Sequence, residues 1–174
     1  MVKIIQNGNK TLRQVAKVVP IKNIGSKKLN KIILDMKKAL NSQHDGVAIA
    51  APQIDVPLRI FVVSGRIFDK DFGTHDYDPK NITGKKEDLV FINPEIVKLS
   101  REKEEVPEGC LSVRWLYGDV KRSTRATVKA YDENGNKIER GGSGILAQIF
   151  QHETDHLNGV LFIDKAKNIA EMKP

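Results

Sequence analysis

Two histidines and a glutamate, in the run His152-Glu153-Thr154-Asp155-His156, are the residues of this chain best arranged for chemistry. They fall in residues 144–158, whose pattern predicts a helix stopped by Gly159. At 3.6 residues per turn, side chains four apart stand one above the other, so His152 and His156 can bind one metal ion. Glu153 lies beside them, within reach of a water held at that ion. Ile145 and Ile149 continue the same stripe, which predicts that the imidazoles point into an apolar interior.

Catalytic sites of the zinc type use three protein ligands and leave one position open. The third ligand separates the possible classes. A metzincin needs a histidine where this chain has Phe162, and the downstream glutamate of thermolysin-like enzymes could only be Glu171. Cys110 is the better candidate. It sits in EGCLS, residues 108–112, where Gly109 allows close backbone approach and a thiolate suits a borderline-soft divalent cation. Taken alone, Cys110 reads as a small buried core residue; the histidine pair gives it a chemical role.

These groups must be positioned by the rest of the chain. Residues 26–43 read as an amphipathic helix, with Leu29, Ile32, Ile33, Met36 and Leu40 at three- and four-residue steps and Ser26 as its cap. The stretch GVAIAAPQ, residues 46–53, follows, then strands at 58–63, 89–92, 126–131 and 137–140, the last two joined by a hairpin turn in DENGN. Residues 64–88, rich in Asp, Gly and Lys, read as a mobile excursion or lid with few apolar residues to secure it. Strands clustered around two separated helices predict an α+β fold rather than βαβ repeats. In that fold antiparallel sheets surround a central helix carrying His152, Glu153 and His156.

The chain has 174 residues, 40% hydrophobic and 29% charged, which predicts one compact domain over residues 1–174 and argues against a disordered or fibrous protein. No apolar run approaches the roughly 20 residues of a membrane span. The N-terminus turns polar after Ile5, so no secretory signal is expected. A single cysteine excludes an internal disulfide and suits a reducing, cytoplasmic setting. The net charge of +7 would favour an anionic partner such as ribosomal RNA, yet the lysines are scattered and do not read as a dedicated nucleic-acid surface.

Three segments, GVAIAAPQ, EGCLS and QHETDHLNG, occur in the order and approximate spacing of the peptide deformylases, and the chain resembles that family over nearly its whole length. FINPEIV and LFID also look like family sequence. The resemblance implies hydrolysis of the N-formyl group from the initiator methionine of nascent polypeptides, with release of formate. It implies Cys110, His152 and His156 as ligands of Fe²⁺, with Zn²⁺, Ni²⁺ or Co²⁺ able to substitute. It further implies that Gln53 and the Leu111 N–H hold the developing oxyanion while Glu153 transfers the proton, roles that suit a formamide under attack. Apolar Val47, Val106, Ile145 and Ile149 are expected to line a methionine pocket, with peptide backbone passing Gly46, Ala48 and Gly109. The implied enzyme is a cytoplasmic monomer with at most transient ribosome contact. Three departures stand out: Ala48 replaces a family glycine, Arg114 stands where many relatives have proline, and residues 64–88 are longer than in the shortest relatives. An HExxH metallopeptidase and a catalytically weak ribosome-associated homologue are the alternatives.

Overall fold

Ser26 starts the first helix by accepting a hydrogen bond from the Leu29 N–H at 3.3 Å. The computed structural model, which describes residues 2–69, 72 and 86–173, gives this helix, α1, as Lys27–Asn41. Leu29, Ile33, Met36 and Leu40 are buried along it, as the periodicity predicts, while Leu34 faces solvent. Eight strands follow: β1 (Ala48–Ala50), β2 (Ile60–Val63), β3 (Leu89–Leu99), β4 (Lys103–Cys110), β5 (Val113–Ser123), β6 (Arg125–Tyr131), β7 (Lys137–Ser143) and β8 (Lys167–Glu171). The second helix, α2 (Gly144–Leu157), lies between β7 and β8.

Every strand pair is antiparallel, in a five-stranded sheet ordered β1-β2-β3-β6-β7 and a three-stranded sheet ordered β4-β5-β8. Strand β2 explains how the larger sheet holds both helices. Its four residues IFVV are all buried and alternate between two faces. Phe61 and Val63 join one core with Ala147, Phe150 and Leu157 of α2, while Ile60 and Val62 join another with Ile33, Met36 and Leu40 of α1. The rings of Phe61 and Phe91 stack at 4.7 Å, and Phe150 meets Phe91 edge-on at 5.3 Å. Burial of each such ring contributes about 1.5–3 kcal/mol, so α2 is seated firmly on the sheet.

The α+β class and the helix bearing HETDH agree with the sequence reading, but the smaller sheet does not appear in it. Strand β4 turns only Val106, Glu108 and Cys110 away from solvent, and β8 is exposed throughout, so neither shows an apolar alternation. Strand β3 runs seven residues past the predicted end at Ile92, through a register shift beside Asn93, whose φ is +51°. Of the expected excursion over residues 64–88, residues 70, 71 and 73–85 lie outside the described residues. Its described part is better secured than expected: Ile67 is buried, and Phe68 and Phe72 pack against the α2 core. Among the described residues no helix is long and apolar enough to cross a membrane.

Candidate metal centre

Helix α2 presents His152 and His156 one turn apart, with ring centroids separated by 5.0 Å. Cys110 ends β4, and its Sγ lies 3.2 Å from His156 Nε2. One potential ligand atom from each of the three residues lies within 4.8 Å of the others. Metal–ligand bonds of about 2.0–2.3 Å in a tetrahedron would set such atoms about 3.4–3.6 Å apart, so the cluster is near the size a small divalent ion requires. One thiolate and two imidazoles form a donor set suited to Zn²⁺, Fe²⁺ or Ni²⁺.

Glu108 fixes the direction of His152. Its Oε2 lies 2.9 Å from His152 Nδ1, leaving Nε2 to face the cluster. Arg122 in turn donates to both Glu108 oxygens at 2.7 and 2.9 Å and to Asp155 at 2.7 Å; Lys165 also reaches Asp155. Burial alone would raise the Glu108 carboxyl, but hydrogen bonds from His152 and Arg122 outweigh it and hold the pKa at about 2. The same balance, with burial opposed by hydrogen bonds to Cys110 and Glu108, raises His152 well above its usual value. Burial, followed by the charge on His152, pushes His156 the other way. Sequence reasoning missed Glu108 and Arg122 as functional residues. Glu108 could have been found by counting two residues back from Cys110 along a strand, but Arg122 carries no local signal.

Glu153 is 4% exposed, and its Oε2 has no hydrogen-bond partner among the described residues. Burial, opposed by the charge on His152 and aided by Glu108, pushes its carboxyl up to about 7. A carboxyl near neutrality can both take and return a proton. Gln53 does two things at once. Its Oε1 accepts from the Ala50 N–H at 2.8 Å, which ties down the backbone, while Nε2 points at Ser112 Oγ (3.2 Å) and Cys110 Sγ (3.6 Å). Leu111 occupies the turn between β4 and β5, and its side chain joins the α1 core.

These groups open onto a cavity of about 250 Å³, walled by residues 45–48, 107–111 and 114–117 and by α2. Gly46, Val47, Ala48, Gly109, Ile145 and Ile149 line it, together with Gln53, Cys110, Leu111, His152 and Glu153. Val106 does not line it: the residue shares the Cys110 face of β4 but pairs with Val120 four positions up the strand. Ile145 also departs from the expected apolar interior. It is 41% exposed, whereas Ile149 one turn later is 3% exposed, because in the first turn of α2 the residues turned into the core are Leu146 and Ala147. Gly109 is required sterically, since a Cβ there would meet the Tyr117 ring at 2.6 Å.

Two histidines and a cysteine that converge beside a buried carboxyl, on a cavity of amino-acid size, fit a metal-dependent hydrolase. The family model described as polypeptide deformylase matches residues 1–172, and the chain belongs to the polypeptide deformylase family. Its members are metal-dependent enzymes that remove the N-formyl group from new polypeptides. A peptide deformylase of Carboxydothermus hydrogenoformans is 39% identical over 168 residues, covering 96% of this chain and 94% of the relative. The Met-Ala-Ser-bound crystal structure of a class I type b peptide deformylase from Acinetobacter baumannii superposes with a TM-score of 0.81 at 31% identity, covering 95% of this chain and 98% of that one. A peptide deformylase from Legionella pneumophila gives 0.79 at 38% identity, covering 97% and 87%.

Proposed function

We propose that Cys110, His152 and His156 hold one divalent ion, natively Fe²⁺, and that Glu153, Gln53 and the Leu111 N–H perform the hydrolysis of N-formylmethionyl nascent peptides. The observation that carries this reading is the convergence of three ligand atoms beside a buried carboxyl oxygen with no partner among the described residues. A bound ion supplies Lewis acidity toward the formyl carbonyl and acidifies water. Glu153 is placed to accept a proton from the attacking water and deliver it to the leaving amine, a double role that its elevated pKa supports. Gln53 Nε2 and the Leu111 N–H donate to the formyl oxygen as negative charge builds there. The rigidity of Gln53 supports its role, because Oε1 is already anchored to Ala50 and the amide pays little reorganisation.

The methionine side chain packs against Ile149, Val47 and the inner part of Ile145, and Val106 drops out of the pocket. The peptide backbone runs along the free edge of β1, past Gly46 and Ala48, with Gly109 opposite. Residues 1–174 act as one catalytic domain, a cytoplasmic monomer whose +7 charge suits transient ribosome contact.

Formate release from formyl-Met-Ala-Ser by anaerobically purified protein, followed by metal analysis, tests the reading. The expected result is turnover with one iron per chain. Cleavage of internal peptide bonds with the formyl group left intact would establish a metallopeptidase instead. Ribosome binding without turnover would establish a homologue that has lost the activity.

A further inference from the structure

The β4–β5 hairpin does not close regularly. Gly109 pairs with Tyr117 and Cys110 pairs with Val113, so residues 114–116 leave the ladder as a bulge, and all three line the cavity. Trp115 within it has φ of +68°, a conformation that bulky side chains avoid and that persists only where the surroundings impose it. Two contacts do so. The Trp115 carbonyl accepts from the Met172 N–H at 2.8 Å, and the Arg114 guanidinium sits 5.4 Å from the centre of the indole ring.

Arg114 also spans to the opposite wall. One Nη donates to Asp45 at 2.5 Å, and the other donates to Asp45 at 3.2 Å and to Gln43 at 2.6 Å. Those bonds use three of its five N–H groups. Nε–H and one Nη–H have no partner among the described residues, on a side chain that is 22% exposed at the cavity. Both Asp45 oxygens, by contrast, already accept from Arg114. The paired charges therefore present spare donors to whatever occupies the cleft.

We propose that Arg114 is a specificity residue that reads a carboxylate in the peptide segment just after the formylated methionine. The proposal rests on the reading of the cavity as the formyl-peptide site. The two free N–H groups point from opposite edges of the guanidinium, so an acidic side chain at the second or third position would meet one of them without displacing Asp45, while a lysine there would meet a cation.

The test compares kcat/KM for formyl-Met-Ala-Glu-amide and formyl-Met-Glu-Ala-amide with their lysine counterparts. The terminal amide removes the end carboxylate, and the free-acid forms run in parallel measure what that group adds. Wild type should favour at least one glutamate peptide by about two- to fivefold, the range an exposed ion pair supports, and about 0.5 M salt should erase the preference. Arg114→Gln should bring the ratio to about one or below, and Arg114→Lys should keep part of it. Asp45→Asn removes the competing carboxylate and should raise the ratio. Because each ratio is taken within one variant, a general loss of rate cancels. A wild-type ratio of one or below, a ratio unaffected by Arg114→Gln, or parallel shifts in Arg114→Gln and Asp45→Asn would overturn the proposal. Failure of wild type to deformylate formyl-Met-Ala-Ser would defeat the functional reading beneath it, and the proposal with it.

Discussion

Arg122→Met asks whether the buried ion network is what aims His152. The side chains of Arg122 and Glu108 are 5% and 2% exposed, so the substitution strands a carboxylate that loses both guanidinium bonds and keeps only His152. Removing one partner from a buried pair costs about 3–5 kcal/mol. At about 2–4 °C per kcal/mol for a chain of this size, the thermal midpoint should fall by about 6–20 °C. Titration gives a second readout. Glu108 is held at about 2 in the folded protein against 4.5 for the free group. A carboxylate depressed in this way contributes stability that is complete above its unfolded pKa and is lost as pH falls toward the folded one. The contribution is about 3 kcal/mol. Wild type should therefore lose roughly that much between about pH 5 and 2, and Arg122→Met distinctly less. Denaturation of metal-free protein followed by circular dichroism at about pH 7, 5 and 3 measures both effects. Metal affinity should also drop by about 10–100-fold as His152 loses its fixed direction. A variant with wild-type stability and an unchanged pH dependence would refute the idea that Arg122 acts on the metal centre through Glu108.

Three further outcomes are expected. Glu153→Ala should bind metal normally while turnover falls by about 10²–10⁴, and near-normal turnover would remove Glu153 as the proton carrier. Iodoacetamide should modify Cys110 slowly in loaded protein and rapidly after chelation, because ligation shields the thiolate; full activity in metal-free protein would end its assignment as a ligand. Ala48 lies in β1 without positive φ, so alanine is unstrained there. Ala48→Gly should cost about 0.5–1 kcal/mol of stability and leave kcat/KM unchanged or raised. A drop of about tenfold or more with metal retained would show that the methyl group shapes the cleft.

The reactive helix was legible because α2 satisfies two independent patterns, the apolar spacing that packs Ile149 and Phe150 and the four-residue step of its histidines. Ser26 and the α1 periodicity were equally readable, since caps and amphipathic stripes are local. What stayed hidden depends on contacts across the chain. Glu108 and Arg122 are buried charges on strands, so they break the alternation that would have announced β4 and β5. For Gln53 the family resemblance implied only the oxyanion role. The structure adds a backbone tie through Oε1 that no local pattern announces, and it turns Nε2 toward Ser112 and Cys110. Trp115 illustrates the opposite limit: nothing in its neighbours announces a left-handed backbone, which arises from a three-residue bulge and a carbonyl held by the far C-terminal segment.

Cys110 and His156 stand 46 positions apart, one on the smaller sheet and the other on the helix seated against the larger. An ion gripping both would be a tether as well as a reagent. An ion that binds only the folded chain stabilises it by mass action, by about 4 kcal/mol at a free concentration roughly 1,000 times its dissociation constant, in a chain whose single cysteine cannot make an internal disulfide. Metal supply would then govern the lifetime of the protein as well as its rate. Chains starved of the ion would be inactive at once, spend more time unfolded and fall to proteases, so scarcity would register as slow catalysis and then as missing protein.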